Sequence, residues 1–117
     1  MAREVTMTVE NNTGKKLELK DKDAIHGKFT TKPPTTIEST GYWVCTTVSG
    51  GTIGPKGTVT YEAADKSFTV EFFYNHPYGP STSSYRVDPS PRDAIGYDIL
   101  GDFEGHTQDI TFQLFPA

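Results

Sequence analysis

Short segments in which apolar and polar residues alternate are the feature that most restricts how this sequence can fold. The clearest examples are Val5 to Val9 near the start and Ile110 to Leu114 near the end. A period of two places every second side chain on one face of a β-strand. No segment of ten or more residues shows the 3.6-residue period of an amphipathic helix. The pattern therefore predicts an all-β protein.

The residues between the alternating segments predict how the first strands connect. Asn11 to Gly14 has the composition of a tight turn. The strand that follows, with Leu17 and Leu19 on one face, is therefore expected to form a first hairpin with Val5 to Val9. Ala24 to Phe29 is expected to be one short strand with a bulge at Gly27.

The middle of the chain predicts the core of a sandwich. Thr58 to Glu62 and Lys66 to Tyr74 are expected to form a second hairpin. Trp43 lies in a segment with apolar residues on both faces, which indicates a central strand and a core role for the indole. Many short strands at regular spacing predict a β-sandwich of mainly antiparallel strands. The 117 residues suffice for a single domain, residues 1–117.

Charge and cysteine content exclude several classes of function. The net charge of −4 and the pI of about 5.2 argue against nucleic-acid binding and against electrostatic attraction to anionic membranes. The single cysteine, Cys45, cannot form an intrachain disulfide and is predicted to be a buried packing thiol. The first ten residues lack the apolar segment of a signal peptide, and no apolar run approaches the length of a membrane span.

No motif for catalysis or metal binding is present in the sequence. The three histidines do not have the spacing of metal ligands, and one cysteine cannot build a zinc site. The glycine-rich segment Ser49 to Lys56 lacks the residue order of a phosphate-binding loop and is interpreted as a loose tether. The sequence therefore predicts a protein that is not an enzyme, with no catalytic residue, no metal and no cofactor.

The segment Val70 to Val87 has the highest density of aromatic side chains in the chain. Pro77 has a fixed φ angle and favours an extended conformation at His76, so the segment is expected to be rigid and to hold Tyr74, His76 and Tyr78 near the surface. Amphipathic rings on a rigid turn suit a lipid head group, a membrane interface or the face of a sugar. The predicted binding residues are Tyr74, His76, Pro77, Tyr78 and Tyr85. The alternative is that the tyrosines only cover the core.

The order of several motifs resembles the aegerolysins, small β-sandwich proteins of fungi and bacteria. The opening VTMTVENNTGKKLELK looks like the start of the family, and His26-Gly27-Lys28 stands where its members tend to have Trp-Gly-Lys. Cys45 precedes a glycine-rich stretch and Gly57-Thr58-Val59, as the single cysteine of the family does. Phe72 to Gly79 is similar to the aromatic run of the family, with Tyr78 at a tryptophan position and His76 at a cysteine position. The wider fold group includes the actinoporins and the fungal fruit-body lectins.

The resemblance implies recognition of membrane lipids, typically sphingolipids with or without sterol. It also implies a perforin-like partner in a two-component cytolysin, and a protein that is cytoplasmic or secreted unconventionally and peripheral to membranes when bound. His26 and Lys28 join the predicted site as neighbours. Two alternatives stay open. One is a lectin in which tyrosines stack on a sugar and Asn75 binds its oxygens; the other is a structural or storage protein without a ligand.

Overall fold

In the computed structural model, which describes residues 3–48, 50–51, 53–79 and 82–117, the chain forms ten strands and no helix. In chain order the strands are β1 (Glu4–Asn11), β2 (Leu17–His26), β3 (Lys28–Thr31), β4 (Thr36–Ile37), β5 (Thr40–Thr46), β6 (Lys56–Ala63), β7 (Thr69–Asn75), β8 (Ser84–Ser90), β9 (Ile95–Gly101) and β10 (Thr107–Pro116). The described ranges contain no helix that is long and apolar enough to cross a membrane.

The strands form two five-stranded sheets that pack face to face. One sheet has the order β3-β5-β1-β10-β9 and the other has the order β4-β2-β6-β7-β8. Every pair is antiparallel except β1 and β10, which run parallel with Val9 opposite Phe112. The prediction of an all-β sandwich with mainly antiparallel strands is therefore confirmed.

Aromatic rings fill the centre of the space between the sheets. Trp43 contacts Phe72 with 5.7 Å between ring centroids, and Phe72 contacts Phe112 at 4.9 Å. Tyr61 is also buried, and its hydroxyl donates to the Pro34 carbonyl at 2.6 Å. Each of these residues occupies an inward position of an alternating strand, so burial follows the period of two. The core role predicted for Trp43 is confirmed.

The hairpin predicted between the first two strands is wrong. β1 and β2 belong to different sheets, although both point their apolar residues into the same core. The side-chain amide of Asn11 is nearly buried and donates to the carbonyls of Lys15 at 2.8 Å and Glu38 at 3.0 Å. These bonds fix the chain where it crosses from one sheet to the other. The predicted β6–β7 hairpin is confirmed, with Val59 opposite Phe72.

Gly27 separates two strands where one was predicted. β2 ends at His26 and β3 begins at Lys28 in the other sheet. Gly27 has a φ of 92°, and a Cβ built on it would lie 2.6 Å from the Thr46 carbonyl oxygen. Only glycine fits both conditions without strain. The bulge interpretation is therefore wrong, because Gly27 is the point at which the chain changes sheets.

The strands run along the long axis of the molecule, which measures 42 Å against 22 and 20 Å for the other two. Strands of eight to ten residues span roughly 25–35 Å, so the loops between them collect at the two narrow ends. Strand register places the start of β1 beside the end of β5 and the start of β10, and the end of β7 beside the start of β8. We call this end the loop end. It comprises residues 3, 25–28, 46–48, 50–51, 53–56, 76–79, 82–83 and 101–107.

Candidate functional site

The loop end brings together most of the residues that the sequence predicted for the site. His26 and Lys28 flank the sheet-changing Gly27, and His26 lies opposite Lys56 at the start of β6. His76, Pro77 and Tyr78 follow directly after β7. Strand pairing therefore places these two parts of the sequence at the same narrow end of the sandwich.

The expectation that Tyr74 and His76 lie near the surface is wrong. Phe72, Tyr74 and His76 are alternate residues that all face the interior, and His76 is only 2% exposed. The Tyr74 hydroxyl donates to the Cys45 sulfur at 3.4 Å, and burial raises the pKa of both groups. Cys45 is buried, as predicted. Neither ring face of Tyr74 is open to a ligand.

His76 links the segments on either side of it. Its Nε2 lies 2.7 Å from the carbonyl oxygen of His106, and its Nδ1 lies 2.8 Å from the Ser83 hydroxyl oxygen. A carbonyl only accepts, so Nε2 carries the proton and Ser83 donates to Nδ1 of a neutral ring. The His106 carbonyl also accepts from the backbone N–H of Glu4 at 3.1 Å. His76 therefore fixes the segment after β7 to the segment before β10.

Burial holds His76 in the neutral form. Removal of the ring from water lowers its pKa from 6.5, and electrostatic interactions with Arg3 and His106 act in the same direction. The hydrogen bond to the His106 carbonyl acts against them because it favours a protonated ring. A buried neutral imidazole with both nitrogens bonded is a structural link between the segments that it contacts.

The glycine-rich connection packs tightly against the same histidine. The backbone N–H of His76 donates to the Pro55 carbonyl at 2.9 Å. A Cβ built on Gly54 would lie 1.8 Å from the carbonyl oxygen of His76, so no other residue fits there without a backbone shift. The interpretation as a loose tether is wrong for Gly54 and Pro55, whereas Ser49 and Thr52 lie outside the described residues.

A groove of about 510 Å³ opens between the segments that His76 links. Its lining comprises Arg3, His76, Pro77, Gly79, Thr82, Ser83, Gly101, Asp102, Phe103, Glu104, Gly105 and Gln108. Asp102 and Glu104 are exposed, and the Asp102 carboxylate accepts from the Glu104 backbone N–H at 3.0 Å. The Phe103 ring is 39% exposed and packs on Tyr85 with 5.8 Å between centroids. The groove thus has an acidic side with an aromatic ring.

Arg3 provides a cation on the groove lining. Its backbone N–H donates to the Thr47 hydroxyl at 3.0 Å, which ties it to the end of β5. Its guanidinium carbon lies 5.1 Å from the centre of the Tyr78 ring, within the range of a cation–π contact. Its Nε is buried and has no hydrogen-bond partner among the described residues. Sequence reasoning missed Arg3, Asp102 and Phe103.

A buried hydrogen bond forms the floor of the groove. The Tyr85 hydroxyl donates to Gln108 Oε1 at 2.5 Å, and Gln108 Nε2 donates to the Gly105 carbonyl at 3.3 Å. Burial raises the pKa of Tyr85, so the phenol keeps its proton. Tyr85 therefore lies beneath the groove and supports Phe103 with its ring.

A second surface of the loop end is apolar. Ile25, Val48 and Ile53 are 49%, 44% and 57% exposed, and they line a shallow depression of about 500 Å³. We call these three side chains the apolar patch. Tyr78 lies between the patch and the groove. Its ring contacts Arg3 on one side, and its hydroxyl donates to the Gly51 carbonyl on the other side at 3.4 Å.

Metal-binding chemistry is not supported by the described residues. They contain no group of three or more His, Cys, Asp or Glu side chains that could hold a metal ion. The loop end presents a cation, two carboxylates, an exposed aromatic ring and an aliphatic surface.

Comparison with solved structures shows the same fold over nearly the whole chain. A crystal structure of the lipid binding protein Nakanori superposes with a TM-score of 0.80 at 15% identity, over 97% of this chain and 71% of that one. The RahU protein in complex with a TRIS molecule gives 0.78 at 13% identity, over 98% and 96%. IP-1A from Alcaligenes faecalis gives 0.71 at 13% identity, over 97% and 91%. At these identities the likeness shows the fold.

Comparisons of the sequence itself give no match. No protein-family model matches the chain, and no curated protein does. The resemblance to the aegerolysins is therefore supported at the level of the β-sandwich fold.

Proposed function

We propose that this protein is a non-catalytic membrane-lipid recognition protein that binds a lipid head group in the groove at its loop end. One observation carries the proposal: a single groove of about 510 Å³ combines a cation, two carboxylates and an exposed aromatic ring. Pockets of a few hundred Å³ with a few fixed polar groups are typical of sites for small ligands.

The groove chemistry suits a head group that carries both charges. Arg3 lines the groove, and its guanidinium can pair with the phosphate of a head group. The carboxylates of Asp102 and Glu104 favour an ammonium group on the other side. The exposed face of Phe103 adds a cation–π contact to that ammonium group.

Similarity to known proteins supports the same proposal. Nakanori, which shares the fold over 97% of this chain, is a lipid binding protein. The aegerolysin-like motifs extend the proposal to sphingolipids, with or without sterol, and to a perforin-like partner in a two-component cytolysin. His26 and Lys28 lie at the same end of the molecule and are proposed to contact the membrane surface beside the groove.

The geometry favours a lipid over a glycan. Sugar recognition of the predicted kind needs the ring faces of Tyr74 and Tyr85, and both side chains are buried. Tyr78 and Phe103 are the rings that line or border the groove, and Tyr78 is already in contact with Arg3. This arrangement leaves no flat tyrosine platform of the predicted kind.

Sedimentation with lipid vesicles tests the proposal. Vesicles of sphingomyelin and sterol are compared with vesicles of phosphatidylcholine alone, for the wild type, Arg3→Ala and Phe103→Ala. The matched control is Tyr97→Ala, because Tyr97 is 45% exposed and lies on β9 towards the other end of the molecule.

We expect the wild type to pellet with the sphingomyelin vesicles, and we expect both groove variants to lose most of this binding while the control keeps it. Absence of pelleting with any lipid, together with binding on a glycan array, would replace the proposal with a lectin function. Equal binding by the wild type and both groove variants would show that the groove is not the site.

A further inference from the structure

The apolar patch is a surface that neither the aromatic segment nor the groove explains. Its side chains come from the end of β2 and from the connection between β5 and β6, two parts of the chain that Gly27 and strand pairing bring together. All three are branched aliphatic residues about half exposed to solvent. Aliphatic side chains grouped on the loops of one end mark a surface that contacts another apolar phase.

From this arrangement we propose that the apolar patch inserts into the acyl layer of a lipid bilayer and so anchors the molecule by its loop end. The inference rests on the proposed function and deepens it, because it adds a second, non-specific contact to the head-group groove. Tyr78 separates the patch from the groove, which puts the two contacts side by side. In a single orientation on the bilayer, the protein would therefore bind a head group in the groove and contact the acyl chains with the apolar patch.

Charge around the patch fits the phosphate layer of a membrane. Lys28 is exposed beside Gly27, and Lys56 lies opposite His26, which lines the depression. The stretches 25–29 and 44–57, which carry the patch, contain no Asp or Glu. Basic side chains next to inserted aliphatic residues can extend along the surface and meet lipid phosphates.

The size of the apolar patch argues against a stable protein partner on it. Three side chains that are about half exposed offer far less surface than the ~800 Å² per partner that a stable protein–protein interface buries. A membrane has no such minimum, because a few aliphatic side chains add their transfer energies independently. A bilayer is therefore the occupant that a small aliphatic tip fits.

The test uses the intact chain and vesicles of the composition that the wild type binds. Ile25→Ser, Val48→Ser and Ile53→Ser each remove one aliphatic side chain from an exposed position, so the fold is expected to persist. Tyr42→Ser is the control, because Tyr42 is 53% exposed but lies midway along β5 opposite Thr8. We expect each patch variant to bind vesicles roughly three- to tenfold more weakly, while the control is unchanged.

Binding of water-soluble phosphocholine or phosphoethanolamine separates the two proposals. Patch variants that bind these compounds as the wild type does, but lose vesicles, support the inference. Patch variants that bind vesicles like the wild type overturn the inference and leave the groove proposal standing. A wild type that binds neither vesicles nor head-group compounds overturns both.

A fluorescent probe on the patch provides a second readout. Because Cys45 is buried, an environment-sensitive dye can be directed to an exposed cysteine in Ile53→Cys and, as a control, in Tyr42→Cys. The inference predicts a rise in fluorescence with vesicles at position 53 and none at position 42. A wild type that is dimeric without lipid and becomes monomeric in Ile53→Ser would instead identify the patch as a self-association surface and overturn the inference.

Discussion

Replacement of His76 by alanine should destabilise the whole loop end. The change removes two hydrogen bonds of 2.7 and 2.8 Å and leaves the Ser83 hydroxyl without its partner in a nearly buried position. Each lost bond costs about 1 kcal/mol, and the cavity left by the buried ring adds a similar amount. The expected loss is about 2–4 kcal/mol in the free energy of unfolding, or roughly 8–16 °C in Tm for a domain of this size.

Thermal and urea unfolding, followed by the near-UV signal of the core aromatic residues, measure this loss. His106→Ala is the matched control, because His106 is exposed and contributes only its backbone carbonyl to the contact. We expect this control to unfold within about 1 kcal/mol of the wild type. If His76→Ala unfolds like the wild type, the role of His76 as a link between the two segments is refuted.

The same histidine makes stability depend on pH in a defined direction. Its pKa in the folded protein is lower than the 6.5 expected in the unfolded chain, chiefly because of burial. The unfolded state therefore binds more protons below pH 6.5, so the free energy of unfolding falls as the pH decreases from 6.5 towards the folded-state pKa. Hydrogen bonds from Ser67 and Lys15 lower the pKa of Asp65 from its ordinary value of 3.8. Asp65 therefore contributes to the pH dependence of stability only below about that pH.

The variant His76→Gln isolates this component, because glutamine can donate to the carbonyl but does not titrate. Unfolding free energies are measured for both proteins between pH 4.5 and 8. As the pH falls below 6.5, the unfolding free energy of the wild type should decrease relative to that of His76→Gln. A constant difference across this range would contradict a neutral, buried His76.

The remaining predictions concern other contacts of the core and the groove. Tyr85→Phe leaves Gln108 Oε1 buried without its 2.5 Å donor and should cost about 1–3 kcal/mol in urea unfolding; an unchanged midpoint would contradict the contact. Gly54→Ala would place a Cβ 1.8 Å from the His76 carbonyl oxygen and should lower Tm by several degrees, whereas an equal or higher Tm would show that the connection is loose after all. Cys45 should react with a thiol reagent only when the protein unfolds, because its pKa is raised by burial; rapid labelling under native conditions would contradict the buried thiol.

Local periodicity predicted the faces of the strands but not the sheets to which they belong. The inward positions of β1, β6, β7 and β10 follow directly from the alternation, because a strand between two sheets buries every second side chain. The hairpin error at Asn11 has a long-range cause. The side-chain amide of Asn11 donates to the carbonyl of Glu38, which lies 27 residues away. The residues of the turn alone therefore do not predict this contact.

The site was predicted in part, for a similar reason. Counting by twos from the core residue Phe72 puts Tyr74 and His76 inside, so their burial was accessible from the sequence. The density of aromatic residues in the segment led instead to the prediction of an exposed surface, although aromatic residues are as common in a core as on a surface. Arg3 and Phe103 both line the groove because β1 and β10 pair in parallel. No local sequence pattern predicts that pairing.

Hydrogen–deuterium exchange with and without bound vesicles tests the central claim most directly, because it reports binding and orientation together. The account predicts slower exchange in the described residues of the loop end when sphingolipid vesicles are present, above all in 46–48, 50–51, 53–56, 76–79, 82–83 and 101–107. It predicts no change at the opposite end, in the turns 12–16, 64–68 and 91–94. Protection at the opposite end or along the sheet faces, with the loop end unaffected, would contradict recognition of lipids by this surface.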